Sequence, residues 1–277
     1  MTDLPWGALA LSLGATALAV AALMLTTFAL GQRRGTHRLV DVAWGLGFTT
    51  TAVVACAATV GHGDPLRRTL VVVLTAAWGL RLAAHIARRG RGKGEDPRYE
   101  RMLSKAPGDP RWYALRMVYG LQGLLVMVVS LPLQLAVVLP QPVGVLDWLG
   151  VALWAVGLGF EAVGDRQLSA FKADPAHKGR IMDQGLWRYT RHPNYFGDFT
   201  VWWGLYLLAC AQLGSAALAL VSPLVMSGLL VFGSGKRLLE RQMSQRPGYA
   251  EYAARTSGFF PLPPRKTDTN SPSGGVS

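Results

Sequence analysis

The sequence predicts an all-α integral membrane protein built as a bundle of seven transmembrane helices. Hydrophobic residues make up 51% of the 277 residues although the net charge is +12, so apolar and charged residues must be separated along the chain. The apolar runs approach or exceed the roughly 20 residues that a membrane-spanning helix needs. They lack the polar and apolar alternation of a membrane β-barrel. Helices therefore remain as the way to satisfy the backbone in lipid.

Seven apolar runs define the predicted spans, and the sixth is the shortest. In chain order they cover 7–30, 39–61, 69–87, 115–139, 144–164, 199–213 and 216–232. Residues 1–261 are predicted to form one membrane domain, with a carboxyl-terminal motif region from about residue 110. The polar segment 262–277 contains too few apolar residues to fold, and it predicts a disordered tail.

Lys and Arg are concentrated in alternate loops. Three lie between the first two spans, nine from Arg88 to Arg116, six from Arg166 to Arg191, and seven after Gly235. By the positive-inside rule these loops and the carboxyl terminus face the cytoplasm and the amino terminus lies outside, in a plasma or inner membrane. Because topology alone accounts for the basic charge, no nucleic-acid partner is predicted.

Several ionisable residues lie inside or at the edges of the predicted spans: Asp41, Arg81, His85, Glu161 and Asp165. Such groups are costly in a membrane unless they are paired or hydrated. One interpretation is a polar cavity that opens to the cytoplasm. The other is a set of structural ion pairs that lock the bundle together.

The segment from Gly185 to Asp198 combines basic, aromatic and carboxylate residues directly before an apolar run. This density exceeds what is needed to anchor a helix at the interface, and it predicts a site for an anionic ligand. A metal site is not predicted, because His177 and His192 have no nearby Cys. Walker loops and the Gly-x-Ser-x-Gly and His-Glu-x-x-His motifs are absent from the sequence.

That segment, together with Glu240, Tyr249, Tyr252 and Phe260-Pro261, resembles the carboxyl-terminal domain of the steroid 5-alpha-reductase family. The upstream segments 41–45, 78–82 and 95–99 look like a bacterial branch of that family. The resemblance implies a seven-helix reductase that binds NADPH from the cytoplasm. It also implies hydride delivery to an activated carbon–carbon double bond of a lipid or steroid-like enone. Asp41-Val42 and Trp78 occupy the positions at which the steroid reductases bind the substrate carbonyl.

The resemblance also implies a set of cofactor-binding residues: Asp165, Lys172, Arg180, Tyr189, Arg191, His192, Asn194, Asp198 and Glu240. The phosphates of NADPH need several cations, which Lys172, Arg180, Arg188 and Arg191 would supply. Asp165, Asn194 and Asp198 would then bind the neutral ribose hydroxyls and the nicotinamide amide.

Reduction of an enone needs a hydrogen-bond donor at the conjugated carbonyl, where negative charge develops. A protonated Asp41, Arg81 or Tyr119 is the predicted catalytic donor. The substrate is expected to be a lipophilic small molecule that enters from the membrane lipid. The oligomeric state is not predicted.

The Arg-His-Pro-Asn-Tyr pattern also resembles isoprenylcysteine carboxyl methyltransferases, which bind S-adenosylmethionine beside a carboxyl-terminal Glu and aromatic residues. Glu240 and Tyr249 fit that pattern as well. S-adenosylmethionine is cationic and carries no phosphate, so Lys172 and Arg180 favour NADPH. A membrane scaffold without enzymatic activity is a third hypothesis.

Overall fold

The computed structural model describes residues 4–233 and 236–265, with Leu238 described by its backbone alone, and within these ranges it is helical without a β-strand. The helices are numbered here in chain order. They are α1 (Trp6–Arg34), α2 (Leu39–Ala58), α3 (Pro65–Gly90), α4 (Pro97–Leu103), α5 (Pro110–Val129), α6 (Leu131–Ala136), α7 (Val145–Ala173), α8 (Pro193–Leu207), α9 (Leu213–Val231), α10 (Lys236–Met243) and α11 (Tyr249–Arg255).

Six of these helices are long and apolar enough to cross a membrane: α1, α2, α3, α5, α7 and α9. The protein is therefore an all-helical, multi-pass membrane protein. The sequence predicted a further span at 199–213, where the structure has α8, which begins at Pro193 and has 15 residues. At 1.5 Å per residue α8 is about 22 Å long, shorter than the roughly 30 Å hydrocarbon core.

The chain divides into two compact units. The first unit comprises Met1–Trp154 and Trp202–Val225, and the second comprises Ala155–Val201 and Met226–Ser277. The boundaries fall inside α7, α8 and α9. Because these boundaries lie within helices, no linker of unusual composition marks them in the sequence.

Four Asp-Pro pairs begin helices or helical turns in the polar segments. Asp64, Asp96, Asp109 and Asp174 each accept a hydrogen bond from a backbone N–H two or three residues later, at 2.8 to 2.9 Å. The Asp oxygen satisfies one of the free N–H groups at a helix start, and the following Pro has no N–H to satisfy. These caps fix where α3, α4 and α5 begin.

α8 runs antiparallel to α7 at backbone contact distance. In the second unit, a Cβ on Gly157 would lie 2.7 Å from the Gly197 carbonyl oxygen. In the first unit, a Cβ on Gly150 would lie 2.6 Å from the Gly204 carbonyl oxygen. Glycine is required at these positions, because any side chain would force the two backbones apart.

A buried ion pair holds α3 to the start of α7 within the first unit. The Arg67 guanidinium is fully buried and donates to both carboxylate oxygens of Asp147, at 2.7 and 2.9 Å. It also donates to the Gln141 carbonyl oxygen at 2.6 Å. Paired and hydrogen-bonded on all sides, the two charges are tolerated inside the protein.

Residues 262–265, at the start of the predicted tail, make main-chain hydrogen bonds with the rest of the chain. Leu262 N–H donates to the Tyr189 carbonyl oxygen at 3.0 Å, and Arg265 N–H donates to the Arg255 carbonyl oxygen at 2.9 Å. Main-chain hydrogen bonds hold this stretch, and composition does not report them. The rest of the predicted tail, 266–277, lies outside the described residues.

Candidate functional site

A cavity of about 660 Å³ lies in the second unit. The end of α7, the segment 174–182 that follows it, and helices α10 and α11 form its walls. The basic side chains that line the cavity are Lys172, Lys178, Arg180, Arg191 and Arg246. Its aromatic lining comprises Phe171, Trp187, Tyr249 and Tyr252. The cavity therefore combines positive charge with flat apolar surfaces.

Arg191 is engaged by the protein itself. Its Nε and Nη2 each lie 2.9 Å from Glu240 Oε1, and its Nη1 donates to the Ala253 and Thr256 carbonyl oxygens, both at 2.9 Å. The guanidinium N–H groups thus bind the carboxyl-terminal segment. These partners lie about 50 to 65 residues away along the chain, and the phosphate contact of Arg191 stays a prediction.

The carboxyl-terminal segment is attached to the motif by further bonds. Thr190 pairs with Ser257 in an isolated parallel β-bridge, and its Oγ1 donates to the Phe259 carbonyl oxygen at 2.7 Å. The Tyr252 hydroxyl donates to the Trp187 carbonyl oxygen at 2.7 Å. These contacts hold α11, and with it one wall of the cavity, against the segment 187–190.

His192 lines the cavity and is 3% exposed. Burial lowers its pKa to about 4, against the opposing effect of Glu240, so the ring is neutral at pH 7. Its Nε2 lies 3.2 Å from Glu240 Oε1. A neutral ring donates there only through Nε2–H, which leaves Nδ1 as an acceptor. Nδ1 is buried and has no hydrogen-bond partner in the part of the chain that the structure describes.

The remaining predicted cofactor residues are placed differently. Asn194 Nδ2 donates to Asp165 Oδ1 at 3.3 Å, and Asp165 is buried at 7% exposure. Asp198 lies half-buried on α8, and Tyr189 is 43% exposed. None of these four is among the residues lining the cavity as the structure describes it.

The structure thus brings Lys172, Arg180, Arg191 and His192 to one cavity, with Glu240 directly behind the last two. Sequence reasoning missed Lys178 and Arg246. Lys178 lies between two predicted residues and could have been included. Arg246 could not have been, because only the fold returns the carboxyl-terminal segment to this place.

A second polar cluster surrounds Asp41 in the first unit. The Tyr99 hydroxyl donates to Asp41 Oδ1 at 2.6 Å, and Arg98 Nη2 donates to Oδ2 at 2.8 Å. Burial, followed by the nearby Asp41 carboxylate, raises the pKa of Tyr99 well above its usual value, so Tyr99 keeps its proton. Gln122 Nε2 lies 3.5 Å from the Tyr99 hydroxyl. Asp41 accepts both bonds, in contrast to the donor role predicted from the sequence.

Tyr119, another predicted catalytic residue, is 1% exposed. Its hydroxyl oxygen lies 3.0 Å from His37 Nδ1. Glu95 holds the chain around His37, because its carboxylate accepts hydrogen bonds from the backbone N–H groups of His37, Arg38 and Asp96. Burial lowers the pKa of His37, against the opposing effect of Glu95. The sequence marked Glu95 only as part of the segment 95–99 and did not single out His37, because their contact spans 58 residues.

Arg81, the third predicted catalytic residue, lies half-buried on α3. One turn earlier, Trp78 is fully buried in an aromatic cluster, with its ring 5.4 Å from Trp202 and 5.6 Å from Phe48.

The structure is thus that of a multi-pass membrane protein. It has a basic and aromatic cavity in the second unit and polar clusters around Asp41 and Tyr119 in the first unit. Among the described residues, no group of three or more His, Cys, Asp or Glu could hold a metal ion.

The chain belongs to the DUF1295 family, whose description is "Protein of unknown function"; the family's sequence profile matches residues 27–256. It is also similar to the uncharacterized protein C594.04c of the fission yeast Schizosaccharomyces pombe, at 25% identity. The match covers 73% of this chain and spans about two thirds, 65%, of that relative's length. No solved structure matches the chain.

Proposed function

We propose that this protein is a membrane-embedded reductase that binds NADPH in the cavity of the second unit and reduces an activated carbon–carbon double bond of a lipophilic substrate. The observation that carries the proposal is the joint lining of one cavity by basic and aromatic side chains. A volume of about 660 Å³ is in the range of cofactor pockets, roughly 300–1,000 Å³.

The donor set suits a ligand with several phosphates. Lys172, Lys178, Arg180 and Arg246 would hold the pyrophosphate and the 2′-phosphate, since each brings a cation to the cavity. Arg191 and Glu240 would instead build the wall that presents them.

The aromatic and neutral groups of the lining suit the rest of the cofactor. Trp187 and Tyr249 offer ring surfaces for a base. Nδ1 of His192, an acceptor, would take a hydrogen bond from a ribose hydroxyl or an amide N–H. When bound, NADPH supplies the hydride.

The polar groups of the first unit would serve the substrate. Tyr119 is our choice for the hydroxyl that donates to the substrate carbonyl, with His37 orienting it. Asp41 would act as a positioning residue that holds Tyr99 and Arg98. We retain Arg81 as the alternative donor.

We also propose that α8 is a seventh crossing, although it is short. It follows α7 from the Gly157 to Gly197 contact in the second unit to the Gly150 to Gly204 contact in the first. With seven crossings the amino terminus lies outside, and the cavity loops and the carboxyl terminus face the cytoplasm of a plasma or inner membrane.

The alternative proposal is an S-adenosylmethionine-dependent methyltransferase. That cofactor is cationic, and the described lining of the cavity has five Lys and Arg side chains against one carboxylate, Asp174. Glu240 is already neutralised by Arg191 at 2.9 Å, which weighs against this alternative.

The test is a ligand panel on the protein purified in detergent, with NADPH, NADH and S-adenosylmethionine compared by thermal shift and equilibrium titration. We expect NADPH to bind more tightly than NADH, and R180E to remove that preference. A charge-assisted hydrogen bond to phosphate is worth about 1.5–3 kcal/mol, or roughly 10- to 100-fold in affinity. The matched control is R166E, since Arg166 is exposed on α7 and does not line the cavity. Saturable binding of S-adenosylmethionine without NADPH binding would favour the methyltransferase, and binding of neither would favour a scaffold.

A further inference from the structure

A second concave surface lies in the first unit, between α1 and α5. It is a groove of about 450 Å³ lined by α1 from Ala17 to Leu25 and by α5 from Leu115 to Met127. Among the described residues that line it, only Arg116 and Tyr119 have polar side chains. This groove is separate from the cavity of the second unit in both its residues and its chemistry.

Small residues leave the groove open. Ala17 and Ala21 lie one turn apart on α1, and Gly120 and Gly123 lie about one turn apart on α5. The α5 backbone comes close to α1 here: a Cβ on Gly123 would be 3.4 Å from Met24 Cγ. Both helices are candidate membrane spans, and the lining residues Ala21 and Leu124 are exposed, so in a membrane the groove would open to lipid.

One end of the groove is basic. The two helices run antiparallel, because Gly123 lies opposite Met24 and the hydroxyl of Tyr119 lies opposite Gly31. The start of α5, with Arg116, therefore lies toward the end of α1, which finishes at Arg33 and Arg34. All three of these arginines are exposed.

The length of the groove matches one leaflet of a membrane. From Leu115 to Met127 the groove follows twelve residue steps of α5, the first of them in a π-helical stretch, Leu115–Gly120. At 1.5 Å per residue, and less in the wider π-helical turn, this length is about 15–18 Å. Half of a hydrocarbon core of roughly 30 Å is about 15 Å. A chain lying in the groove would thus place a head group beside Arg116.

We propose that this groove binds one anionic phospholipid, with an acyl chain against Ala21 and Gly123 and its phosphate beside Arg116. The apolar lining selects for a hydrocarbon chain, and the basic end selects for negative charge. Anionic lipids are attracted to basic residues near the membrane surface by about 1 kcal/mol per residue, which is about fivefold in affinity. This proposal does not depend on the identity of the ligand in the other cavity. The Tyr119 hydroxyl, assigned above to the substrate, lies at His37 Nδ1 and beside Gly31, neither of which lines the groove.

The test compares dioleoyl phosphatidylglycerol with dioleoyl phosphatidylcholine on the full-length protein in neutral detergent. Retained lipid is counted by native mass spectrometry, and affinity is measured by thermal shift during lipid titration. We expect one retained phosphatidylglycerol per chain, bound about fivefold more tightly than phosphatidylcholine. R116Q should remove this preference, and A21F should fill the groove and release the lipid. R111Q is the matched control, because Arg111 is also exposed on α5 and does not line the groove.

Equal affinity of the wild-type protein for the two lipids would overturn the proposal. An equal effect of R116Q and R111Q would also overturn it, because the preference would then belong to the basic surface as a whole. Retention of phosphatidylglycerol by A21F with unchanged affinity would place the lipid elsewhere. Ala21 is exposed, so the larger side chain does not disturb a packed core.

Discussion

Arg191 anchors the carboxyl-terminal segment, and its removal makes a sharp test of how the cavity wall is built. In R191M the guanidinium loses its contacts to Glu240, Ala253 and Thr256, which comprise four nitrogen-to-oxygen contacts at 2.9 Å. At about 1 kcal/mol of net stability per hydrogen bond, the loss is about 4 kcal/mol. The pair is partly buried, with side chains 15% and 25% exposed, so its loss should not exceed the roughly 3–5 kcal/mol of a fully buried pair.

The assay is hydrogen–deuterium exchange by mass spectrometry over residues 236–265. We expect R191M to raise the opening equilibrium of this segment by about 1,000-fold, since each 1.4 kcal/mol is a factor of ten. The control is R255M, because the ion pair of Arg255 with Asp183 is partly exposed, with side chains at 42% and 35%. Exposed pairs are worth about 0–1 kcal/mol, so R255M should change exchange by less than about sixfold. Unchanged protection of the segment in R191M would refute the assigned role.

Three further predictions concern stability. Buried His192 has a pKa of about 4 in the folded protein against 6.5 in the unfolded chain. The free energy of unfolding is therefore highest above pH 6.5 and decreases as the pH falls to about 4. We expect thermal melting to show this loss of roughly 1–3 kcal/mol, and H192N to remove it. G157A should lower the melting temperature, because its Cβ would lie 2.6 Å from the Val201 nitrogen; G159A, with open space at the same helix, should be neutral or stabilising. R67M should cost about 3–5 kcal/mol in urea unfolding by leaving Asp147 buried without its partner, and R67M/D147L should recover most of it; failure to recover would contradict the ion-pair account.

The helical membrane fold was predictable because apolar length is a local property. The start of α8 was placed too late, because the segment Pro193–Asp198 is polar although it is the first turn and a half of the helix. Pro193 was the missed signal, since Pro favours the first position of a helix. The division into two units was not predictable, because its boundaries fall inside continuous helices.

The candidate site was predictable only where its residues are near one another in sequence. Lys172 and Arg180 lie on the same stretch of chain, and they line one cavity. Arg191 binds Glu240, and Glu95 accepts a hydrogen bond from the backbone of His37. Both contacts join residues that are far apart in the sequence. Without an observed fold, a cation that binds a ligand and one that binds the protein have the same appearance in a sequence.

The most direct test of the central claim is a hydrogen–deuterium exchange footprint of NADPH on the wild-type protein. Saturating NADPH should protect residues 172–182 and 239–252, which line the cavity, and S-adenosylmethionine should leave both segments unchanged. Absence of protection there under saturating NADPH, or protection by S-adenosylmethionine alone, would contradict the assignment of this cavity to a phosphate-bearing nucleotide.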